Sequence, residues 1–379
     1  MDNRDIFDFA AFTEIEKYQS KKILLLGAGA VGANIMLTLL LMGFKDITVL
    51  DFDKVEAHNC SRAAGLFLPD RDTGKYKADV LRDYALSWGA KSESLICDVR
   101  DLGKHFFRSF GAVLVALDNM EAVCSVGAAI AGSGILTLRA ATNEYNYSVE
   151  VFDNNSDACL CCWRGDVSMD TRVTGCGEKY TAEMAAGKAP ALQVSSAMAA
   201  NRLVGILVQT LGGNVMHINA RYYDSFNALH KFPILRDENC PFHEKETKSA
   251  KILSGSVFTV TAGQILSHLK EETSAAHTVV CHDDFVLEFT CRNCGMSEPV
   301  LKPLRKVSSP AACKNCGGIR NAKTLNTISE NTPKHVLNLT LWEIGFRCCD
   351  DIYFYNELQE IFFCKFEEDF LKLRENTLL

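Results

Sequence analysis

The chain alternates short apolar runs with longer mixed segments, and this alternation predicts an α/β fold. A continuous apolar run of strand length, Lys22–Leu26, precedes a glycine-rich turn and a helical segment, Ala33–Met42. A further strand is predicted over Ile47–Leu50. Strands buried on both faces and separated by helices are typical of a parallel sheet. The pattern therefore predicts a Rossmann-like, doubly wound sheet in the first part of the chain.

One stretch, Leu24–Phe44, is apolar enough to raise the question of a membrane span. Its internal glycines and Asn34, followed at once by a strand-like run, favour a buried strand–turn–helix unit instead. We therefore expect no membrane association. Later in the chain, a strand is predicted over Tyr147–Asp153 and a helix over Ala191–Leu211.

The pattern changes after residue 248 and predicts a second, smaller α+β domain. From Ser249 we expect a linker, an amphipathic helix over Ala262–Glu272, a cysteine-rich segment and short strands over Ile352–Tyr355 and Ile361–Cys364. The predicted domains are therefore 1–248 and 249–379.

Composition narrows the classes of function. The 379 residues carry a formal net charge of -7, which argues against nucleic acid as a partner because nonspecific binding needs clustered Lys and Arg. The N-terminal segment lacks the pattern of a secretory signal, so a cytoplasmic location is expected. In that compartment the 16 Cys are better explained as metal ligands, reactive thiols and buried residues than as disulfides.

The turn after the first strand has the spacing GxGxxG, with Gly27, Gly29 and Gly32. Such glycines allow a phosphate to approach backbone N–H groups at the start of a helix. Asp51 follows the next strand at the distance where a carboxylate can bind ribose hydroxyls. These features predict a nucleotide site and, taken alone, would fit an NAD-dependent dehydrogenase.

The residues that follow Asp51 favour a different class of enzyme. The run from Asp51 to Arg62, DFDKVEAHNCSR, resembles the DxDxVxxxNxxR signature of the ThiF, MoeB, HesA and ubiquitin-activating enzymes. Gly74–Ala78 is similar to the GxxKA segment of that superfamily, and Val115–Asn119 to its strand-end aspartate and asparagine. The resemblance implies an adenylyltransferase that uses ATP and Mg²⁺ to activate the C-terminal glycine carboxylate of a ubiquitin-like or sulfur-carrier protein.

The resemblance also implies roles for single residues. Arg62 and Lys77 would neutralise phosphate charge, and Asp118 would hold the magnesium ion. Alternatively, Arg62 and Lys77 are solvated surface residues and Asp118 caps the next helix. The implied nucleotide-binding residues are Gly27, Gly29, Gly32, Asp51, Asp53, Asn59, Arg62, Lys77, Asp118 and Asn119.

Two positions depart from the pattern of that superfamily. Its Asp–Asn pair is often followed a few residues later by Arg, but this chain has Met120–Val123 there. Relatives also bring an N-terminal Arg to the ATP, often from a second subunit of a dimer. Arg4 is the only arginine before the glycine turn, and its surroundings, DNRDIF, depart from the RYxRQ pattern. It is either that residue, in a homodimer, or an exposed terminal arginine.

A first metal site is implied by the resemblance. Cys159 and Cys162 match the first CxxC of the superfamily, and the later sequence RDENCPFH supplies Cys240 and His243. Cysteine and histidine are both good ligands for a closed tetrahedral zinc site. Cys161 lies between the first pair, and an exchange with either neighbour stays open.

A second metal site is predicted from spacing alone. The pairs Cys291/Cys294 and Cys313/Cys316 are two CxxC motifs at the spacing of a zinc ribbon, and each is followed by glycine. A closed site made only of cysteines leaves no open position for catalysis. We therefore expect a structural zinc that stabilises the fold or presents a surface to a partner.

Cys176 is the candidate nucleophile. It lies between two glycines in a polar segment before the predicted helix Ala191–Leu211, and Arg172 or Lys179 could lower the pKa of its thiol. In relatives that form a thioester, a cysteine of this segment accepts the acyl group. A thioester role and an ordinary loop thiol both stay open.

The ribbon favours a prokaryotic ubiquitin-like conjugation system, with a downstream conjugating enzyme as a further partner. Alternatives are adenylation of a tRNA base or a small peptide, an NAD-dependent dehydrogenase, and a non-catalytic pseudoenzyme or scaffold subunit. The acidic composition disfavours a tRNA substrate. Arg62, Lys77 and Cys176 have no role in a dehydrogenase, and the intact nucleotide residues disfavour a pseudoenzyme.

Overall fold

The computed structural model describes residues 16–143, 145–155, 158–162, 191–225, 228–240, 250–307 and 312–376. The chain forms two compact units, one of residues 1–100 and 107–245 and the other of residues 101–106 and 246–379. The sequence analysis divided the chain at residue 248 and did not anticipate that the short segment 101–106 groups with the second unit.

The first unit contains strands joined mostly by helices. Its described strands are β1 (Lys22–Leu26), β2 (Asp46–Leu50), β3 (Lys91–Leu95), β4 (Ala112–Val115), β5 (Leu136–Thr142), β6 (Tyr147–Phe152), β7 (Ala220–Asp224) and β8 (Leu229–Pro233). Its described helices include α1 (Glu16–Gln19), α2 (Ala30–Leu41), α3 (Pro69–Asp72), α4 (Lys77–Ser87), α6 (Met120–Ile130) and α7 (Gln193–Leu211), and α5 (Lys104–Phe107) spans the boundary between the units.

These strands form one mixed sheet in the order β3-β2-β1-β4-β5-β6-β7-β8. The first five in that order are parallel, and β6, β7 and β8 add to the edge as antiparallel strands. The chain runs outward from β1 to β3 and then returns to the other side of β1 with β4. The strand order reverses between β1 and β4, which is where open α/β sheets bind ligands. The predicted Rossmann-like fold is confirmed.

The apolar stretch Leu24–Phe44 is the predicted buried strand and helix. All side chains of β1 after Lys22 are buried, and α2 begins at Ala30, three residues earlier than predicted. Among the described helices, α7 alone is long and apolar enough to cross a membrane. Its buried side chains, including Leu203 and Leu207, belong to the core that lies against the sheet.

The second unit contains a predominantly antiparallel sheet and short helices. Its described strands are β9 (Lys251–Leu253), β10 (His277–Cys291), β11 (Ser297–Pro303), β12 (Arg320–Ile328), β13 (Ile352–Asn356) and β14 (Ile361–Phe366). Its helices are α8 (Ala262–Thr273), α9 (Lys334–Leu337), α10 (Leu341–Ile344) and α11 (Asp369–Asn376). The long strand β10 pairs with β11, β12 and β13, and a capping box of Thr261 and Gln264 begins α8.

The segment 101–106 is built into this second unit through its backbone. Gly103 donates a backbone hydrogen bond to the carbonyl of Cys348, and Cys348 donates one to the carbonyl of Asp101. The carboxylate of Asp351 pairs with Lys104 and His105 of the same segment. Six residues from the middle of the first unit's sequence are therefore part of the packing of the second.

Candidate nucleotide-binding site

The glycine turn closes tightly at the end of β1. Gly27 has a φ of +91°, which favours glycine, and a Cβ at Gly32 would lie 1.9 Å from the carbonyl oxygen of Gly27. A Cβ at Gly29, in contrast, would meet no atom within 4 Å. Open space therefore lies beside the N-terminus of α2, where backbone N–H groups can bind a phosphate.

Asp51 joins the end of β2 to this turn. One carboxylate oxygen accepts a hydrogen bond of 2.6 Å from the backbone N–H of Ala28, and the other accepts one of 2.7 Å from that of Asp53. Burial raises the pKa of the Asp51 carboxyl above its ordinary value, while the hydrogen bond from Ala28 and the charge of Lys77 oppose that rise. The carboxylate thus fixes two backbone segments that border the open space.

Lys77, the first residue of α4, lies against the same segment. Its ammonium group is 2.9 Å from a carboxylate oxygen of Asp53, and its backbone N–H donates to the Asp53 carbonyl at 2.9 Å. Lys77 is only 9% exposed, so it is not a solvated surface lysine. A cation is therefore held at the carboxyl end of β2 although most lysines of helices are exposed.

Asn59 and Arg62 belong to the 3₁₀ turn Ala57–Arg62. The side-chain oxygen of Asn59 accepts a hydrogen bond of 2.8 Å from the backbone N–H of Glu56, and Asn59 is buried. Arg62 is half-buried at the end of the turn. The structure thus gives Asn59 a part in closing the turn that carries Arg62, in addition to the predicted part in orienting a triphosphate.

Asp118 and Asn119 follow β4, the strand beside β1, and have different environments. Asn119 caps α6, since its side-chain oxygen accepts hydrogen bonds from the N–H groups of Glu121 and Ala122 at 2.9 and 3.4 Å. Asp118 is exposed. The alternative interpretation of Asp118 as the helix cap is therefore wrong, and Asn119 has that role.

Hydrogen bonds and the ion pair join the glycine turn, Asp51, Asp53 and Lys77 directly. Arg62 and Asp118 are carried on the adjoining segments after β2 and β4, and these strands flank β1 on its two sides. The carboxyl ends of these three parallel strands meet at one edge of the sheet. The glycine turn, Asp51, Asp53 and Lys77 thus lie at the edge expected for a ligand, and Arg62 and Asp118 belong to the segments that follow two of its strands.

Three of the four predicted ligands of the first metal site are described, and they cluster. The sulfur of Cys159 lies 3.8 Å from that of Cys162 and 3.7 Å from that of Cys240. Cys161 instead donates its thiol to the carbonyl of Cys124 at 3.5 Å. Three converging sulfurs suit a closed, thiolate-rich metal site.

The four cysteines of the second predicted metal site also converge. Their sulfur atoms all lie within 4.8 Å of one another, with Cys291 and Cys316 3.5 Å apart and Cys294 and Cys313 3.7 Å apart. The two CxxC turns have equivalent backbones, because the glycine after each has a φ near +70° and donates its N–H to the carbonyl of the first cysteine. Such paired turns fit a tetrahedral thiolate site.

Some predicted residues lie outside the described part of the chain. They are Arg4, Arg172, Cys176, Lys179 and His243. Their assignments stay predictions.

Comparison with protein-family models decides the family. A model described as the ThiF family matches residues 3–251, more than half of the chain and the whole of the site described above. The chain belongs to the ThiF family. The resemblance inferred from the Asp51–Arg62 run is thereby confirmed.

Curated proteins similar to this ThiF-family chain are subunits of larger enzymes. The NEDD8-activating enzyme E1 catalytic subunit of Caenorhabditis elegans is 32% identical over 109 residues, 28% of this chain and 25% of that protein. The SUMO-activating enzyme subunit 2 of Dictyostelium discoideum is 27% identical over 151 residues, 39% of this chain and 22% of that protein. The chain therefore matches about a quarter of the length of these relatives.

Solved structures show the same fold. A crystal structure of Escherichia coli MccB with MccA-N7isoASN has a TM-score of 0.51 and 17% identity, covering 61% of this chain and 69% of that one. The microcin C7 biosynthetic enzyme MccB in complex with N-formylated MccA has a TM-score of 0.51 and 20% identity, over 61% and 69%. At this identity, the likeness supports the ThiF fold alone.

Sequence reasoning missed two side chains beside Arg62. Asn34 of α2 donates to the carbonyl of Arg62, and Gln193 of α7 accepts from the backbone N–H of Ala64. The available signal was Asn34 itself, which with Thr38 is one of two polar side chains in the apolar run of α2. Gln193 is distant in sequence from the turn and carries no such signal.

Two glycine substitutions should separate folding from nucleotide binding in this ThiF-family chain. Gly32→Ala should destabilise the first unit by about 3 kcal/mol, because its Cβ would overlap the Gly27 carbonyl oxygen. Gly29→Ala should leave the melting temperature unchanged, because its Cβ meets no atom within 4 Å, and should weaken MgATP binding about tenfold if a phosphate binds in this open space. Thermal unfolding and calorimetric titration would measure both, and equal ATP affinity in Gly29→Ala and wild type would contradict the phosphate assignment.

Proposed function

We propose that this ThiF-family chain is an ATP-dependent adenylyltransferase that activates the C-terminal glycine carboxylate of a ubiquitin-like or sulfur-carrier protein. The observation that carries the proposal is the open space at Gly29, bordered by Asp51, Asp53 and the buried Lys77 at the carboxyl ends of the strands. Membership of the ThiF family, and the activating enzymes among the relatives, favour this reaction over the NAD-dependent dehydrogenase.

The reaction joins two anions. A carboxylate oxygen of the carrier attacks the α-phosphorus of ATP, a phosphorus–oxygen bond forms, and pyrophosphate leaves with the electrons of the broken bond. Because the approach of two negative groups is unfavourable, the site must supply positive charge and hold the reactants in line. We assign phosphate neutralisation to Arg62 and Lys77, ribose binding to Asp51, and support of the triphosphate to Asn59 and the glycine turn.

Asp118 suits a magnesium ion. Carboxylate oxygens are preferred ligands of Mg²⁺, and exposure of Asp118 lets the ion keep several waters. Since Asn119 caps α6, the cap does not use the Asp118 carboxylate. When bound, magnesium would neutralise charge on the phosphate oxygens.

Two structural zinc ions complete the proposal. Cys159, Cys162 and Cys240 supply three converging sulfurs for the first, with His243 as the fourth ligand. The second would be held by four converging cysteines as a zinc ribbon in the second unit: Cys291, Cys294, Cys313 and Cys316. Sets of soft thiolate ligands favour zinc among the common metals, and closed sites serve folding rather than catalysis.

The remaining assignments concern partners and location. We propose a cytoplasmic homodimer, with Arg4 of one subunit as a candidate contact to the nucleotide of the other. The second unit would bind the carrier protein or a downstream conjugating enzyme, as a partner-binding domain. The carrier itself is defined by its chemistry, a flexible tail with a terminal glycine carboxylate.

Exchange of labelled pyrophosphate into ATP tests the reaction. We expect exchange only when a carrier ending in glycine is present, and a carrier with its terminal carboxylate amidated is the matched control. A short peptide with a free C-terminal carboxylate is tested separately. If the peptide supports exchange and no carrier protein does, the substrate is a peptide and not a carrier protein. Exchange with neither would overturn the proposal.

Cys176 should be dispensable for the first step and needed for a second. If its thiolate attacks the acyl carbon of the adenylate, a carbon–sulfur bond forms and AMP leaves. Cys176→Ala should then retain pyrophosphate exchange within about twofold and lose the thiol-sensitive enzyme–carrier adduct seen on non-reducing gels. Cys97→Ala, which removes a buried thiol of the same unit, should keep the adduct. An adduct that persists in Cys176→Ala would remove Cys176 from the role.

A further inference from the structure

Two side-chain amides form a reciprocal pair between α2 and α7. Gln193 donates from Nε2 to Oδ1 of Asn34 at 2.8 Å, and Asn34 donates from Nδ2 toward Oε1 of Gln193 at 3.3 Å. Asn34 is 4% exposed. A buried amide is costly unless it is hydrogen-bonded, so this pair fixes the orientation of both groups.

The same two amides hold the backbone that follows the 3₁₀ turn. Oε1 of Gln193 accepts from the N–H of Ala64 at 3.2 Å. Nδ2 of Asn34 donates at 2.8 Å to the carbonyl of Ala30 and lies 3.4 Å from the carbonyl oxygen of Arg62. The backbone after the turn is therefore held mainly at Ala64, with a longer contact at the Arg62 carbonyl.

The fixed segment has a strained conformation. Ala64 has a φ of +53°, in the left-handed region that residues with a Cβ rarely adopt, and Gly65 follows with a φ of +72°. Such backbone persists only when surrounding contacts determine it. The hydrogen bond from Ala64 to Gln193 is a contact of that kind, two residues after the end of the 3₁₀ turn at Arg62.

The packing of α2 against α7 does not depend on the pair of Asn34 and Gln193 alone. One turn further along, Thr38 donates to Asn201 at 2.9 Å and connects α2 with α7 at an exposed position. Apolar residues such as Leu39 and Leu203 already place both helices in the core. The contacts that distinguish Asn34 and Gln193 from this second pair are those to the Arg62–Ala64 backbone.

We propose that Asn34 and Gln193 are positioning residues, which fix the backbone of Arg62 so that its guanidinium meets the phosphates of ATP. The inference rests on the proposed function, because it deepens the role given to Arg62. A long arginine side chain amplifies small backbone displacements, and a shift of about 1 Å can cost about 100-fold in rate. Neither residue needs to touch the nucleotide to have this effect.

A double-mutant cycle between Gln193 and Arg62 tests the proposal. Gln193→Ala alone should lower kcat/KM for ATP in pyrophosphate exchange about tenfold. In the Arg62→Ala background, the same substitution should lower it less than about twofold, since the group that it positions is already gone. A tenfold loss in both backgrounds would overturn the proposal, because Gln193 would then act independently of Arg62.

Asn201→Ala is the matched control. It breaks the other polar contact between α2 and α7 and touches no residue of the Arg62–Ala64 segment, so exchange should stay within about twofold of wild type. If Gln193→Ala fails to fold, Gln193→Met takes its place in the cycle. The methionine has a similar length and volume but loses both the acceptor for the Ala64 N–H and the donor to Asn34, so the same non-additivity with Arg62→Ala is expected.

Titration of each variant with MgATP separates the two hypotheses. If wild type catalyses exchange and the effects of the two substitutions in the double-mutant cycle are additive, the positioning role is wrong and the proposed reaction stands. If wild type binds MgATP but catalyses no exchange, the proposed reaction is wrong. The double-mutant cycle is then measured on the dissociation constant of MgATP, and the same non-additivity is expected. Absence of MgATP binding by folded wild type overturns both.

Discussion

Asp118→Ala should lower carrier-dependent pyrophosphate exchange about 100-fold or more while the protein stays folded. The carboxylate is exposed at the end of β4, and Asn119 rather than Asp118 caps α6, so its removal should cost little stability. Loss of a magnesium ligand, in contrast, removes charge stabilisation that develops at the phosphates in the transition state. Initial exchange rates and thermal unfolding of the purified variant would measure the two effects separately.

Asp70→Ala is the matched control for this substitution. Asp70 is an exposed aspartate of the same unit, on the short helix α3, and has no proposed role at the nucleotide. Its exchange rate should equal that of wild type within about twofold. Exchange at the wild-type rate in Asp118→Ala would contradict the assignment of the metal ligand.

Cys291→Ser should remove the ribbon zinc and unfold the sheet around β10, β11 and β12. The two CxxC turns close this end of the unit through converging sulfurs, and structural zinc sites of this kind contribute about 10 kcal/mol or more to folding. Metal analysis should find about two zinc ions per wild-type chain and about one in the variant. Thermal unfolding should show early loss of the second unit only.

Cys281→Ser provides the comparison within the same strand. Cys281 is a buried residue of β10 that lies outside the four-cysteine cluster, so the variant should keep the wild-type zinc content even if its stability falls. Equal zinc content in wild type and Cys291→Ser, with both folded, would show that the cluster is not a metal site.

The first unit was predictable because local sequence signals agree with its tertiary structure. The continuous apolar run of β1 and the glycines after it specify a strand, a turn and a helix within one short segment, and these elements form within three residues of the predicted bounds. The ends of parallel strands then bring Asp51 and Asp118 to one edge by topology alone. No contact between distant side chains is needed for that part of the site.

The parts that sequence reasoning missed depend on side-chain geometry or on long-range contacts. Side-chain geometry at two adjacent positions decides whether Asp118 or Asn119 caps α6, and the pattern of hydrophobic and polar residues does not encode that geometry. The pairing of Gln193 with Asn34 joins residues 159 positions apart. Likewise, segment 101–106 has the sequence of an ordinary connection between β3 and β4. Its hydrogen bonds with Cys348 and its ion pairs with Asp351 are long-range contacts that assign it to the second unit.

Separate titrations of the purified chain with MgATP and with NAD test the central claim most directly, namely that the glycine turn and the charged residues around it form a triphosphate site. The account predicts saturable binding of MgATP that weakens about tenfold in Gly29→Ala, and no saturable binding of NAD. Saturable binding of NAD to a folded chain that does not bind MgATP would contradict it.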